Sequence, residues 1–375
     1  MDVTTTEDQR LLQETTRRFL ENKSPVSALR RLIGGDTGFD RDTWRQGAEL
    51  GWFSLFVPEE QGGMAESALG LIDAAIVAEE LGRVVFAGPF LSVNVAAFAI
   101  AQAGSQAQRN ALLPGLAAGE LIAAWCFSGP GLAPGAEAGG VRVKPSGDGF
   151  VLEGAASYVE DAQIADHFLV TAAGDDGLTQ VLIPATTAGV TISPLETLDL
   201  GRRLAEVRFD NVRAAKDSLL GEAGGAAAQV ERQLQVAVTL QCAETVGVAD
   251  RALEFTLDYA KQRMAFGRPI ASFQGLKHRL ADHATYLEAA KAAAAYAAEA
   301  VQNQAPDAAI AVSVAKSHCG ASGTSIVRDC LQMHGGIGMT YDHDIHLYLR
   351  RAVSNEALWG TPAVHYERLC RLAGL

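Results

Sequence analysis

The sequence predicts a mainly α-helical protein with a β domain set between two helical zones. Three observations predict it. Apolar residues recur at helical spacing from Thr5 to about Ile122 and again from about Ala226 to the C-terminus. Between these zones lie short β-type runs, separated by Gly, Asp and Pro at roughly 10–15-residue intervals, a pattern of a sandwich or barrel. The 375 residues are enough for two to three domains. The expected division is 1–122, 123–222 and 223–375.

The first helix follows from Thr6, with Gln9 three residues later as a capping box, then Leu11, Leu12, Phe19 and Leu20 on a helical period. Ser24-Pro25 stops it. Gly62-Gly63 breaks the next segment, and Leu69 to Leu81 reads as an apolar helix ending at Gly82. In the middle zone, Val141–Val143 and Phe150–Leu152 are strands split by Gly147-Asp148-Gly149. Phe168–Val170, Gln180–Ile183, Val190–Ile192 and Val207–Phe209 continue the series. The last zone holds three long Ala-rich helices, Val230–Arg263, Phe273–Gln304 and Ala308–His334, whose small side chains suit close helix packing.

Composition removes several classes of function. A net charge of −13 argues against nucleic-acid binding, which needs clustered Lys and Arg. The five cysteines are scattered and odd in number, which suits reduced thiols in the cytoplasm. The first ten residues are polar and acidic and carry no signal peptide. The most apolar stretch, Val93–Ala103, is too short to span a bilayer. There is no P-loop, dinucleotide fingerprint, nucleophile elbow or HExxH. Asp342, His343, Asp344 and His346 read as a solvated turn between helices and not as a metal site.

Two segments carry chemistry. One is Arg263-Met-Ala-Phe-Gly-Arg-Pro-Ile-Ala-Ser-Phe-Gln274; the other is Gln332-Met-His-Gly-Gly-Ile-Gly338. They resemble the R-x-x-F-G-x-P-I-x-x-F-Q and Q-x-x-G-G-x-G motifs of the acyl-CoA dehydrogenases. Trp44, Glu49–Trp52, Val57–Gly63, Glu79–Arg83 and Leu113–Gly119 are similar to that family as well, so the resemblance covers nearly the whole chain. It implies an N-terminal helical domain, a central β domain and a C-terminal four-helix bundle. It implies FAD as cofactor, bound at a subunit interface of a homotetramer or of a heterotetramer with a paralogue. It implies α,β-dehydrogenation of an acyl-CoA thioester, with an electron-transfer flavoprotein or similar acceptor.

The residues suit those expectations physically. A pyrophosphate needs a fixed cation with several donors, which Arg263 supplies at a helix end. Phe266 offers an aromatic face to the adenosine, and Gln274 and Gln332 offer donors. Gly335 and Gly336 let backbone amides come close. Ser128 and Thr361 stand where the family contacts the flavin.

The sequence also departs from the family. The C-terminal E-G-T that usually carries the base is here Trp359-Gly360-Thr361, and Ala363 replaces a common flavin-contacting Gln. The second known base position falls at Ala237. Glu244 lies two helical turns on, ~10.5 Å along the same face, in a segment Ala243-Glu244-x-x-Gly247 similar to a bacterial subfamily acting on steroid side-chain and other bulky acyl-CoAs. Flanked by Leu240 and Val248, Glu244 is expected to be desolvated, with a raised pKa, and to act as the base. Glu356 is the alternative base, and a structural Glu244 paired with an Arg is the competing reading. In the middle zone, Phe127-Ser-Gly-Pro-Gly131 lacks the family's acid and G-S-D, and Ala156-Ser-Tyr-Val-Glu160 replaces K-x-W-x-T. Three functions therefore stand: a dehydrogenase with Glu244 as base, a non-catalytic partner subunit of a heterotetramer, or a relative with oxidase or monooxygenase chemistry.

Overall fold

Thr6 caps α1 (Glu7–Lys23) as the sequence predicts: its hydroxyl accepts from the Gln9 amide while the Gln9 side chain accepts from the Thr6 amide. The structure, a computed structural model, describes residues 5–33, 35, 38–65, 70–129 and 138–375. Leu69 and Gly131 lie outside the described residues. Five more helices complete the N-terminal zone: α2 (Val26–Leu32), α3 (Arg41–Glu49), α4 (Leu71–Arg83), α5 (Phe90–Ala103) and α6 (Gln106–Ala117). The apolar stretch of the sequence is α5, buried on every side from Phe90 to Ile100, as a helix without a polar face must be. Among the described residues no helix is long and apolar enough to cross a membrane.

The strands follow: β1 (Ala123–Cys126), β2 (Val141–Ser146), β3 (Gly149–Glu160), β4 (His167–Gly174), β5 (Gly177–Pro184), β6 (Val190–Leu195), β7 (Leu204–Ala215) and β8 (Leu219–Leu220). They form one sheet in the order β6-β7-β3-β2-β4-β5-β8, with β1 paired in parallel to β4. Alternate residues of β1 to β7, among them Val143, Leu152, Phe168, Val181, Val207 and Phe209, pack into a single core, so the sheet bends round its own interior.

After the sheet come α7 (Ala227–Gln262), the small hairpin β9 (Met264–Ala265) and β10 (Arg268–Pro269), then α8 (Gln274–Gln302), α9 (Ala308–His334), α10 (Ile345–Ala357) and α11 (Pro362–Leu372). α4 runs one residue past the Gly82 expected to end it. Gly82 has a packing role instead. A Cβ there would meet the Glu244 carbonyl oxygen at 2.1 Å, and a Cβ on Gly247 would meet the Glu79 carbonyl oxygen at 1.9 Å. The two glycines let α4 and α7 cross backbone to backbone, which places Glu244 beside the sheet.

Candidate active site

Three places hold the residues singled out by sequence. The first is a cleft where the end of β1, the end of β3 and the α10–α11 loop meet. It is lined by Trp125, Phe127, Ser128, Ser157, Tyr158, Leu358 and Trp359. Ser128 is buried and its carbonyl accepts from the Ser157 amide at 2.7 Å. Tyr158 and Trp359 both hold left-handed backbone, with φ of 60° and 61°. Such strain in side chains with a Cβ persists only where the surroundings enforce it, and it gathers at functional sites. His365 is one of the groups enforcing it: its Nε2 donates to the Trp359 carbonyl at 2.9 Å, while burial pushes its pKa down to about 4 and keeps the ring neutral. The Trp359 indole stacks on Trp125 at 5.3 Å between centroids, and Phe127 leans on both rings. Trp125 is fixed in turn by Nε1–H donation to the Thr171 hydroxyl at 2.9 Å. The rings leave about 10 Å³ between them, room for about one water. Thr361 caps α11, its hydroxyl accepting from the Val364 amide at 3.4 Å.

The second place is the ion-pair cluster around Glu244. Leu240 and Val248 flank it on α7 and its carboxylate is desolvated as expected, but the expected raised pKa is not found. Arg202, from the β6–β7 loop, donates to Oε2 at 2.7 Å, and Arg351, from α10, donates to Oε1 at 2.6 Å. Burial by itself raises the carboxyl's pKa, but the two guanidinium groups outweigh it and hold the pKa down to about 2. Asp199, Asn355, Glu160 and the Phe86 carbonyl anchor the two arginines from the other side. Glu160 is different: burial raises its pKa despite Arg202 at 3.0 Å, and Glu244 adds repulsion. Ala237 is fully buried and Glu356 packs beside Gly320 of α9. The pairing with Arg351 matches the competing reading of a buried Glu244 held by an Arg, while Arg202 and Glu160 were not singled out as partners by the sequence.

The third place is the solvent face at the end of the bundle. Arg263 caps α7 there and is exposed. The β9–β10 hairpin lifts Phe266 out to 96% exposure, with φ of 51°. Phe273 packs edge-on against Phe266 and carries Arg268 4.1 Å above its ring. Gln274 opens α8 and is exposed. Tyr259, one turn before Arg263, stacks on His334 at 4.5 Å, which brings the end of α9 to the same face. Gln332 and Gly335–Gly336 are exposed there, and a Cβ on either glycine would meet nothing within 4 Å. An exposed cation, an exposed aromatic ring, amide donors and open glycines are a donor set that fits the adenosine diphosphate half of a flavin dinucleotide. Among the described residues no group of three or more His, Cys, Asp or Glu could hold a metal ion; Asp344 pairs with Arg30 instead.

Comparisons with known proteins identify the family. The family model described as acyl-CoA dehydrogenase, C-terminal domain, matches residues 224–373, and that described as acyl-CoA dehydrogenase, N-terminal domain, matches residues 6–120. The chain is 32% identical over 369 residues to acyl-CoA dehydrogenase IpdE2 of Mycobacterium tuberculosis, covering 98% of each. Among solved structures, a variant of the Tcur3481–Tcur3483 steroid ACAD is 31% identical with a TM-score of 0.89, covering 99% of each chain. The ChsE4–ChsE5 complex of Mycobacterium tuberculosis is 28% identical with a TM-score of 0.89, over 100% of this chain and 99% of that one. A structure described as an FAD-dependent dehydrogenase is 27% identical with a TM-score of 0.89, over 100% of both.

Proposed function

The chain belongs to the acyl-CoA dehydrogenase family, and from that premise we propose that it is an FAD-dependent acyl-CoA dehydrogenase whose part of the flavin site is the exposed end of its bundle. The observation that carries this is the convergence of Arg263, Phe266, Gln274, Gln332 and Gly335–Gly336 on one solvent-facing surface. FAD, when bound, supplies the hydride acceptor for oxidation of the acyl chain. Arg263 holds the pyrophosphate charge, Phe266 packs on the adenosine, and the two glutamines and open glycine amides donate to phosphate and ribose. All of these residues are exposed in the single chain, which supports a site shared between subunits of a tetramer. Ser128 lines the chain's own cleft, and Thr361 caps α11 two residues past Trp359, which lines it too. An electron-transfer flavoprotein or similar acceptor would take up the electrons once FAD is bound. Five cysteines without a disulfide suit the cytoplasm.

A second reading is favoured by one observation. Each Glu244 oxygen is already the acceptor of an arginine, and a carboxylate with a pKa near 2 is a weak base toward a thioester α proton. Trp359 offers no base either. This supports a heterotetramer in which a paralogous subunit supplies the carboxylate and this chain lends Arg263 and Gln332 to its flavin.

Flavin content tests the first reading. Arg263→Ala, purified alone and after co-expression with a paralogous dehydrogenase, is expected to lose most of its bound flavin while remaining folded. Full occupancy in the folded, assembled variant rules the reading out. Anaerobic flavin reduction by acyl-CoA decides the base. With Glu244 as base, Glu244→Gln slows reduction by ~10²–10⁴-fold; with the base on a partner, the assembled variant keeps the wild-type rate.

A further inference from the structure

We infer that Arg202 and Arg351 form a preorganised carboxylate-binding site in which Glu244 is the resident, intramolecular ligand. The inference stands apart from the assignment of this chain's reaction. It rests on how the two guanidinium groups are held. Arg351 is anchored by Asp199 through Nε, and its Nη1 also donates to the Phe86 carbonyl at 3.0 Å. Asp199 is itself fixed, accepting from the Gly201 amide at 3.0 Å. Arg202 is anchored by Glu160 at 3.0 Å through Nε and by the Asn355 side-chain oxygen at 2.9 Å through Nη1. Each arginine then turns one further N–H toward Glu244, and each of these reaches a different oxygen of the carboxylate, at 2.6 and 2.7 Å. That is the donor pattern of a carboxylate receptor: two charge-assisted bonds converging on one planar group.

The anchors do not depend on Glu244. They come from the end of β3, the β6–β7 loop, α10 and the loop after α4, so the arginines keep their places if the carboxylate is removed. The charge balance then favours an anion. Arg202 and Arg351 are both buried, at 6% and 2% exposure, and burial shifts Glu160, one of their acidic partners, toward its protonated form. There is also space. A cavity of about 30 Å³ already adjoins the cluster, walled on its other side by Ala78, Leu81, Phe86, Phe90 and Leu91. Removing the Glu244 side chain enlarges it by about the volume of a small monocarboxylate. The ligand class is therefore formate or acetate, planar and singly charged, and not a tetrahedral phosphate. In the wild-type chain the contact is self-occluding: the Glu244 carboxylate occupies the donors of both arginines.

The test is chemical rescue of Glu244→Ala. Thermal unfolding of wild type, Glu244→Ala and Glu244→Gln is followed in sodium formate, sodium acetate, sodium phosphate and sodium chloride at matched ionic strength and pH 7. The expected result is a saturable rise in the melting temperature of Glu244→Ala with formate or acetate. Chloride and phosphate give no such rise. Wild type and Glu244→Gln, whose side chains fill the site, show none with any salt. If Glu244→Ala is insoluble in chloride, it is purified in formate, where recovery of folded protein is the expected rescue. Failure of formate and acetate to rescue Glu244→Ala, folded or not, overturns the inference. An equal response to phosphate overturns the carboxylate assignment, and an equal response of Glu244→Gln overturns the placement of the site.

Discussion

At the scale of single residues, Glu244 shows what local sequence can and cannot reveal. Its helix neighbours Leu240 and Val248 were readable, and they suggest a desolvated carboxylate. The groups that decide its charge lie 42 and 107 positions away, on a loop and on a later helix, and nothing in their local sequence marks them as its partners. Removing one member of a buried ion-pair cluster strands the others. Glu244→Gln is therefore expected to destabilise the folded state by about 3–5 kcal/mol at pH 7, read from urea unfolding. The pH dependence has a definite sign. The folded carboxyl titrates at about 2, below its ordinary 4.5. The native state thus favours the ionised form, and this contribution to stability is complete above about pH 4.5 and lost as the pH falls toward 2. The gap between wild type and Glu244→Gln should accordingly narrow between pH 5 and pH 3. A gap independent of pH would show that the charge of Glu244 does not matter. Trp359 is the opposite case. Its identity at the usual base position was plain from sequence, but its stacking on Trp125 needed the fold, because the partner ring is on β1.

At the scale of elements, periodicity served the long helices well. α9 runs from Ala308 to His334, the limits read from the sequence, because its Ala-rich pattern starts after Asp307 and stops at Gly335. Gly82 was misread as a terminus for a physical reason. A glycine that ends a helix and a glycine that admits a neighbouring helix look alike until the neighbour is known. β1 was missed because Ala-Ala-Trp-Cys is four residues long and buried throughout, so no alternation marks it. The crossing of α4 and α7 carries its own prediction. Gly247→Ala forces a methyl group into the Glu79 carbonyl, so the helices must separate or the variant must lose about 1–3 kcal/mol. Gly275→Ala, at a helical position with nothing within 4 Å of a Cβ, is the control and should be neutral or slightly stabilising. Thermal melts of the two variants check the pair; equal melting temperatures would contradict the close crossing.

For the whole molecule, the helix–sheet–helix order was legible because the hydrophobic period changes twice along the chain. The surface offered by the end of the bundle was legible as motif, and its exposure was not. Among the described residues Phe266 is the most exposed large apolar side chain, and Met264, Ile337 and Met339 are each more than a third exposed; on the proposed reading another subunit covers this face. Phe266→Asp should weaken assembly and flavin retention together. Asp suits the left-handed backbone at this position better than most residues, so the hairpin itself should survive. Sedimentation at micromolar concentration combined with the flavin-to-protein absorbance ratio measures both. Unchanged assembly with unchanged flavin would remove this face from the subunit contact.

The Glu244 cluster also bears on how freely parts of this protein can be exchanged. Phe86 comes from the N-terminal helices, Glu160, Asp199 and Arg202 from the sheet, and Glu244 and Arg351 from the bundle. A chimaera that imports the sheet from a relative lacking Arg202 would bury Glu244 with a single arginine, and one lacking Asp199 would leave Arg351 short of its counter-charge. Each segment is thus tied to this chain's versions of the other two, and recombination at the helix–sheet junctions should yield folded protein only when all three contributors to the cluster travel together.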